Sequence, residues 1–234
     1  MSTADHLLLA SASPRRRRLL AWLRLPYAVC ATDTLEEMDG PLAERPTALA
    51  CSLAADKSLA ARACPDADSA ALVVACDTIV VVDGRILGKP RNLDDAFVML
   101  RTLSGRMHEV VTGVALLWPG DDAPATFSVV TPVMMRTLTD DDIRAWANKG
   151  ELLGCAGAYN IESHLASVAL GQCFQNVAGL PLCHLFAALD AGGLSDAQSP
   201  VCACDDARGV TCTLGPRLVA PCLSSQQIGG TSEC

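Results

Sequence analysis

The sequence predicts an α/β protein in which a β-sheet is flanked by helices. Up to about residue 190, β-branched apolar runs alternate with segments that carry helix-start signals and helical periodicity. No internal repeat interrupts this alternation. After Gly193 the chain becomes rich in Gly, Ser, Pro and Cys and has no sustained period. We therefore predict a main domain over residues 1–192 and a Cys-rich C-terminal tail over residues 193–234.

The first predicted elements are a strand and two helices. Residues 6–11 are typical of a strand, and residues 13–23 of a helix with Ser13 as its N-cap and Pro14 in its first turn. A longer, alanine-rich helix is predicted over residues 46–64.

The middle of the chain predicts a long strand and a further helix. Residues 71–87 are β-branched and turn at Asp83–Gly84, a dipeptide that favours a tight hairpin. Residues 92–103 begin with Asn92 and two early aspartates, which together indicate a helix start.

The remaining elements are two strands and two helices. Residues 108–118 and 125–138 predict paired strands with Pro119–Gly120 in their connection. A helix is predicted over residues 139–150, from a capping threonine to a stopping glycine, and a last helix over residues 180–193.

Composition excludes several classes of protein. The chain has 234 residues, of which 50% are hydrophobic and 19% charged, so it can bury a substantial core. It contains no apolar window of about 18 residues that would predict a membrane span. Its first apolar run precedes its arginines, the reverse of a secretory signal. We expect a cytoplasmic protein, and the net charge of −8 argues against nucleic acid or an anionic membrane as partner.

The run of four arginines breaks a local rule. Arg15 and Arg16 lie in the first helical turn, where cations cost about 0.3–1 kcal/mol each because of the helix dipole. A bound phosphate reverses that sign, since N–H groups, dipole and guanidinium groups then meet one anion. A solvated basic face is the alternative. We expect Arg17 and Arg18 to be solvent-facing or structural.

Asp77 lies within an apolar, β-branched run, where a carboxylate is costly to bury unpaired. We expect it at a strand end or bulge that faces a site. Near phosphates it would bind Mg²⁺ or take a proton from water. The alternative is an aspartate paired with a structural arginine.

Two lysines are candidates for phosphate binding. Lys57 follows Leu49 and Leu53 at four-residue steps, which predicts a place on the apolar stripe of the helix; snorkelling of its amine to the surface is the alternative. Lys89 lies in GRILGKP, which is one residue too short for a P-loop and has Pro90 where the magnesium-binding hydroxyl should stand. A P-loop is therefore rejected, although Lys89 is still able to reach a phosphate.

Histidine and cysteine do not predict a metal centre in the main domain. The four histidines are far apart, and seven cysteines in apolar segments are expected to act as small core residues. The tail spaces Cys202, Cys204, Cys212 and Cys222 as CxC-x₇-C-x₉-C, which does not match a zinc ribbon. A reduced, partly disordered tail is expected, with zinc as the alternative.

Six segments in this order resemble the Maf family of nucleoside triphosphate pyrophosphatases: LASASPRRRRLL, LAADKSLA, ACDTIVVVDGRILGKP, MLRTLSGRMHEVVTGVAL, GCAGAYNIES and NVAGLPL. The resemblance covers about residues 7–189. It implies a mixed twisted sheet flanked by helices, related to inosine triphosphate pyrophosphatases. It also implies hydrolysis of a nucleoside triphosphate to the monophosphate and pyrophosphate with Mg²⁺ or Mn²⁺, and a homodimer.

The resemblance also implies roles for individual residues. The phosphate site comprises Ser11, Arg15, Arg16, Lys57 and Lys89. Asp77 takes the place of the general base and, with Glu37, of the metal ligands. Glu37 is preferred to Glu36, although the alignment before Lys57 leaves that choice open.

Base preference rests on three positions. Arg15 and Thr78 resemble the branch of the family that acts on dTTP and UTP, whereas the 7-methyl-GTP branch tends to carry Trp and Gln there. Glu162 stands where the pyrimidine branch usually has Gln, and a carboxylate only accepts hydrogen bonds. It would favour a base that offers N–H groups, or accept the N3–H of thymine or uracil.

Other functions stay open at this stage. One alternative is a pyrophosphatase that acts on 7-methyl-GTP or on non-canonical purine nucleotides. Another is a protein that binds nucleotide as a regulator of septum formation. A generic α/β domain with surface arginines is the least specific alternative.

Overall fold

The computed structural model describes residues 4–32, 34, 37–65 and 67–219 of the chain. Within these residues, seven strands form one mixed sheet in the order β2-β1-β3-β5-β6-β7, with β4 paired to β3. The β1–β2 and β1–β3 pairs are parallel and the other pairs are antiparallel. The strands are β1 (Leu7–Ala10), β2 (Tyr27–Val29), β3 (Leu72–Val82), β4 (Arg85–Leu87), β5 (Met107–Leu117), β6 (Ala125–Met135) and β7 (Ala166–Val168). The predicted α/β class and mixed sheet are confirmed.

The sheet is flanked by helices, and four short 3₁₀ turns join elements in the part of the chain that the structure describes. The helices are α1 (Pro14–Leu20), α2 (Pro46–Arg62), α3 (Leu93–Leu103), α4 (Asp140–Ala147), α5 (Phe174–Val177), α6 (Leu182–Ala191), α7 (Val201–Arg208) and α8 (Gly215–Leu218). The 3₁₀ turns are Ala21–Leu23, Leu152–Gly154, Ala156–Ala158 and Ile161–Ser163. Among the described residues, no helix is long and apolar enough to cross a lipid bilayer.

Local capping and turn signals explain where several elements begin. The Ser13 hydroxyl accepts from the Arg16 N–H at the start of α1, and Asn92 caps α3 in the same way. Thr139 forms a reciprocal capping box at the start of α4. Asp83 and Gly84 both have positive φ, as a two-residue hairpin between β3 and β4 requires.

The two faces of the sheet bury different layers. On one face, α2 packs its small and aliphatic residues against alternate residues of β1, β3 and β5. On the other face, a larger core joins α1, α3, α4 and α6 to the remaining residues of the same strands. Because β3 is covered on both faces, ten of its eleven residues are buried.

Asp77 lies in the middle of β3, so its predicted position at a strand end or bulge is wrong. The ladder between β3 and β5 is regular, with Asp77 opposite Gly113. However, β1 covers β3 only as far as Ala75, and β4 begins only opposite Val80. Asp77 therefore lies in a gap along one edge of a continuous strand, and this gap gives access to it.

Gly113 allows α2 to approach the sheet closely. A Cβ atom added at this residue would lie 2.1 Å from the Ala50 carbonyl oxygen, which belongs to the helix backbone. Only glycine fits that contact without a shift of the helix. Gly113 therefore lets α2, which carries Lys57, lie close to β5 at the position directly opposite Asp77 of β3.

Residues 193–219, the described part of the tail, are more ordered than expected. Helices α7 and α8 pack against α6 through a small cluster of Cys183, Val201 and Val219. Cys202 is disulfide-bonded, so the expectation of a reduced tail is wrong at this residue. Cys222 lies outside the described residues, and within them no group of three or more His, Cys, Asp and Glu residues is arranged to hold a metal ion. The zinc alternative has no support in the described part of the tail.

Replacing Gly113 by alanine should destabilise the protein by at least about 2 kcal/mol, because the new methyl group overlaps the α2 backbone. Denaturant unfolding of Gly113→Ala measures this loss. Gly40→Ala is the matched control, since a Cβ at Gly40 meets nothing within 4 Å. Equal stability of the two variants would contradict the close approach.

Stability should also fall in mild acid because of His108. Burial lowers the pKa of this histidine to about 4 from an ordinary value of 6.5, and its Nε2 lies 2.8 Å from the Tyr159 hydroxyl. Between these two pH values the unfolded state binds the extra proton, so stability is lost as pH falls through 6.5 and levels off below 4. The full effect is up to about 3 kcal/mol.

Unfolding curves at pH 7, 5.5 and 4.5 measure the His108 contribution. In His108→Gln the side chain no longer titrates, so the slope of stability against pH should be shallower by about one proton in this window. An unchanged slope would remove His108 as its source.

Candidate active site

A cavity of about 780 Å³ opens at the gap in the sheet edge, where β1 ends and α1 begins. Its walls come from α1, α2, β3, the turn after β4, and the loops around residues 150–162 and 178–179. It brings together all the site residues predicted from the sequence except Glu37: Ser11, Arg15, Arg16, Lys57, Asp77, Thr78, Lys89 and Glu162.

Lys57 and Asp77 form a buried ion pair in this cavity. The Lys57 ammonium donates to Asp77 Oδ1, and the two residues are only 7% and 3% exposed. Lys57 therefore points into the fold, and its snorkelling alternative is wrong. The partner of Asp77 is this lysine rather than a structural arginine.

The second carboxylate oxygen of Asp77 is the local anomaly. Oδ2 is buried and has no hydrogen-bond partner among the described residues. Buried polar atoms are usually satisfied, because an unmade hydrogen bond costs about 1–3 kcal/mol. A buried acceptor of this kind, on a residue that lines a cavity, suits a water molecule or a cation.

Arg16 fixes the wall of the cavity. Its Nε donates to the Gly179 carbonyl at 2.8 Å. Its Nη1 donates to Ser11 Oγ at 3.3 Å and its Nη2 to Thr78 Oγ1 at 3.0 Å. The Thr78 hydroxyl is in turn 3.0 Å from that of Thr112. The guanidinium of Arg16 thus links the segment before α1, strand β3 and the loop at Gly179.

Arg15 and Lys89 also line the cavity, one from α1 and the other from the turn after β4. Arg15 is half-buried and lies near Cys155, where burial raises the pKa of the thiol and the guanidinium opposes that change. Lys89 is exposed and follows Gly88, whose carbonyl accepts from the Gly157 N–H at 3.0 Å. This contact ties the turn to the loop that faces it.

Glu37 is not among the residues that line the cavity, and its side chain is exposed. Its neighbour Met38 packs on the turn that carries Lys89, since a Cβ at Gly88 would lie 3.1 Å from Met38 Cε. The segment therefore adjoins the site. Glu36 lies outside the described residues, so the choice between the two glutamates stays a prediction.

Arg18 is exposed, as expected, but it is also part of the site, which the sequence did not predict. It lines the cavity and pairs through Nη2 with Glu162 Oε1. Asn160 caps the 3₁₀ turn that carries Glu162, because its Oδ1 accepts from the Glu162 N–H at 3.1 Å. Arg17 is exposed and lines neither this cavity nor the neighbouring one, as expected.

Asn176 supports the site but was not predicted from the sequence. It is fully buried, and its Nδ2 lies 3.0–3.1 Å from the carbonyls of Val110 and Val129 and the hydroxyl of Thr131. Its own carbonyl accepts from Thr112 at 3.3 Å. Three residues later comes the Gly179 carbonyl that Arg16 binds. The available signal was an amide inside the apolar segment NVAGLPL, which needs partners if it is buried.

The sequence model of the family described as Maf-like protein matches residues 6–192. This match includes every element that lines the cavity and stops before α7 and α8.

Three similar proteins carry the same name. The chain is 41% identical to the dTTP/UTP pyrophosphatase of Caldanaerobacter subterraneus subsp. tengcongensis, over 76% of this chain and 84% of that protein. It is 40% identical to the dTTP/UTP pyrophosphatase of Xanthomonas euvesicatoria pv. vesicatoria, over 80% of this chain and 98% of that protein. The protein of the same name from Syntrophotalea carbinolica is 38% identical over 85% of this chain and 93% of its own length.

Asn176→Ala should lower the free energy of unfolding by about 2–4 kcal/mol, because it leaves buried acceptors on two strands without a donor. Thermal or denaturant unfolding measures the change. Asn148→Ala, at the exposed C-terminal end of α4, is the control and should change stability by less than about 0.5 kcal/mol. Equal losses in the two variants would contradict the anchoring role of Asn176.

Proposed function

The chain belongs to the Maf family, and from this premise we propose that it hydrolyses nucleoside triphosphates to nucleoside monophosphate and pyrophosphate. We further propose that dTTP and UTP are its favoured substrates, as the names of its relatives suggest. The observation that carries the proposal is the buried Lys57–Asp77 pair in the wall of a cavity that further cations line. The second carboxylate oxygen of Asp77 has no partner in the described structure.

The charge of the cavity suits a triphosphate although the whole chain is acidic. Arg15, Arg16, Lys57 and Lys89 converge there from three separate parts of the sequence. A triphosphate tail carries several negative charges, and fixed cations in a partly enclosed cavity attract it more strongly than they would in open solvent. A triphosphate bound there would also offset the unfavourable interaction between the helix dipole and the arginines at the start of α1.

The residues around Asp77 fit hydrolysis at the α-phosphorus. In the proposed reaction, Asp77 Oδ2 orients a water molecule and accepts its proton as the water oxygen bonds to phosphorus. The bond from the α-phosphorus to the bridging oxygen breaks, and pyrophosphate leaves. Lys57 holds Asp77 in place through Oδ1, while Lys89 and the arginines offset the charge that develops on the departing group.

A divalent cation fits the same centre. Asp77 Oδ2 is a buried hard oxygen without a partner in the described structure, and Mg²⁺ is usually held by one or two carboxylates together with substrate phosphates. Asp77 would hold Mg²⁺ or Mn²⁺, with Glu37 as the proposed second carboxylate. When bound, the ion would neutralise phosphate charge and polarise the phosphoryl group.

Three predictions from the sequence continue as proposals. Residues 1–192 form the catalytic domain, and residues 193–234 are an appendage to it. The enzyme works as a cytoplasmic homodimer.

Pyrophosphate release from a panel of nucleotides tests the proposed function. With Mg²⁺ or Mn²⁺, dTTP and UTP should have the highest kcat/KM, above CTP, 7-methyl-GTP and ITP. Chelation of the metal should stop turnover. Release of monophosphate without pyrophosphate, or nucleotide binding without turnover, would contradict the proposal.

Asp77→Asn should lower kcat by at least about 100-fold, because an amide cannot take the proton from water. The amide oxygen still accepts from Lys57, so stability should fall but the fold should persist at the assay temperature, and unfolding curves check this. Asp94→Asn, an exposed change of the same chemistry on α3, is the control and should keep full activity. Near-normal turnover in folded Asp77→Asn would remove Asp77 from this role.

A further inference from the structure

A second cavity of about 640 Å³ adjoins the first, and the two share Arg18 and Glu162 in their walls. The second cavity is further lined by aromatic residues of the main domain and by Ala207, Arg208 and Val210 at the end of α7 and just after it. The Arg18–Glu162 ion pair therefore lies at the boundary between the two cavities, whereas Lys57 and Asp77 line only the first.

The negative charge of Glu162 limits which part of a nucleotide is able to lie beside it. An ionised carboxylate repels phosphate groups unless a metal ion or a proton lies between them. The base of a nucleotide is uncharged and offers N–H groups to such an acceptor. Glu162 is therefore suited to the part of the cavity that would take the base, and the cations around Asp77 are suited to the triphosphate.

Arg18 supplies the hydrogen-bond donors that a carboxylate lacks. Glu162 has acceptor atoms only, whereas the guanidinium has five N–H donors and no acceptor. One contact between Nη2 and Oε1 joins them, so each group keeps atoms that are able to meet a ligand. Together they present a donor beside an acceptor, as a carboxamide does.

The imide edge of thymine and uracil has the complementary pattern. Its N3–H is a donor, and a carbonyl acceptor lies on each side. At the same position cytosine has an acceptor at N3, which would face the carboxylate without a hydrogen atom between them. Two acceptors in contact are unfavourable, particularly where water is excluded.

We propose that Arg18 is a specificity-determining residue, which reads a base carbonyl while it holds Glu162 to accept the N3–H of thymine or uracil. The two side chains act as one unit. This inference rests on the proposed function, because it assigns the base subsite of the same cavity.

Two features of the structure hold the pair in place. Asn160 caps the turn of Glu162, and its Nδ2 also donates to Glu151 Oε2 at 3.2 Å. Arg18 projects from a helix whose start is fixed by Ser13 and by the hydrogen bonds of Arg16. The side chains of Arg18 and Glu162 are 51% and 36% exposed, so a ligand is able to reach both.

The test is a set of four proteins: wild type, Arg18→Met, Glu162→Gln and the double variant. Each is assayed for pyrophosphate release from dTTP, UTP and CTP. In Arg18→Met the ratio of kcat/KM for dTTP over CTP should fall by about 10-fold or more, the effect of losing a hydrogen bond to a charged group. The same loss should appear in the ratio for UTP over CTP.

The double variant separates base reading from a structural role. The amide introduced by Glu162→Gln would supply both a donor and an acceptor by itself, so this single variant should keep most of the preference. Loss of Arg18 in that background should change the ratio by less than about 3-fold, because the amide replaces what the guanidinium provided. Equal losses in both backgrounds would overturn the proposal.

Arg17→Met is the matched control, since Arg17 is an exposed arginine on the same helix outside both cavities. It should leave the ratio unchanged. A chemical test is available with the wild type: a methyl group on N3 of UTP removes the donor and should lower kcat/KM by at least about 10-fold. Full activity with N3-methyl-UTP would overturn the proposal.

Failure of this inference is distinct from failure of the proposed function. If wild-type protein releases no pyrophosphate from any nucleotide, the proposed function itself is wrong. If the wild type is active but Arg18→Met keeps the wild-type ratio, only the role of Arg18 is wrong.

Discussion

The buried ion pair between Lys57 and Asp77 is the constraint on which the site depends. Removing one partner of such a pair leaves an uncompensated charge inside the protein, at a cost of about 3–5 kcal/mol. The ammonium and the carboxylate must therefore meet, although one is on a helix and the other on a strand of the sheet beneath it. Gly113 permits this contact because it lets the α2 backbone lie directly on β5. The small side chains of Ala50 and Ala54 keep the distance between the helix and the sheet short in the rest of that interface. Small residues in the core thus serve the geometry of the charged pair.

The incomplete edge of β3 makes the pair accessible. Had β1 continued for a few residues, or β4 begun earlier, the strand would have a partner beside Asp77 and the cavity would be closed on that side. Instead, the chain leaves β1 at Ala10 and turns into α1, which places the first helical turn at the gap. The gap also allows one cavity to collect groups from both faces of the sheet, with Lys57 and Asp77 on the α2 face and Thr78 and Arg16 on the other.

Most of the fold was predictable because its signals are local. Caps at Ser13, Asn92 and Thr139 and the turn at Asp83–Gly84 depend on a few neighbouring residues, and all four are confirmed. The cationic residues of the site were predictable as exceptions to local rules. What the sequence did not reveal depends on long-range pairing. Along the edge of β3 that pairs with β5, Asp77 lies in mid-strand. Along the other edge it lies just beyond the end of the ladder with β1, because β1 is short. Asn176 has partners on two distant strands, and the helical segment after residue 200 is stabilised by packing rather than by a strong periodicity.

The four consecutive arginines show how one local anomaly divides into different roles. Successive residues of a helix are separated by about 100°, so Arg18, Arg15 and Arg16 fall within an arc of about 160° while Arg17 points to the opposite side. The structure follows this division: the three residues within the arc line the cavity and Arg17 does not. Within the arc the roles still differ, because Arg16 is fixed to backbone and hydroxyl groups whereas Arg18 meets a carboxylate. Helical geometry sets which arginines enter the site, but only the partner that each one finds from a distant part of the chain sets its role there.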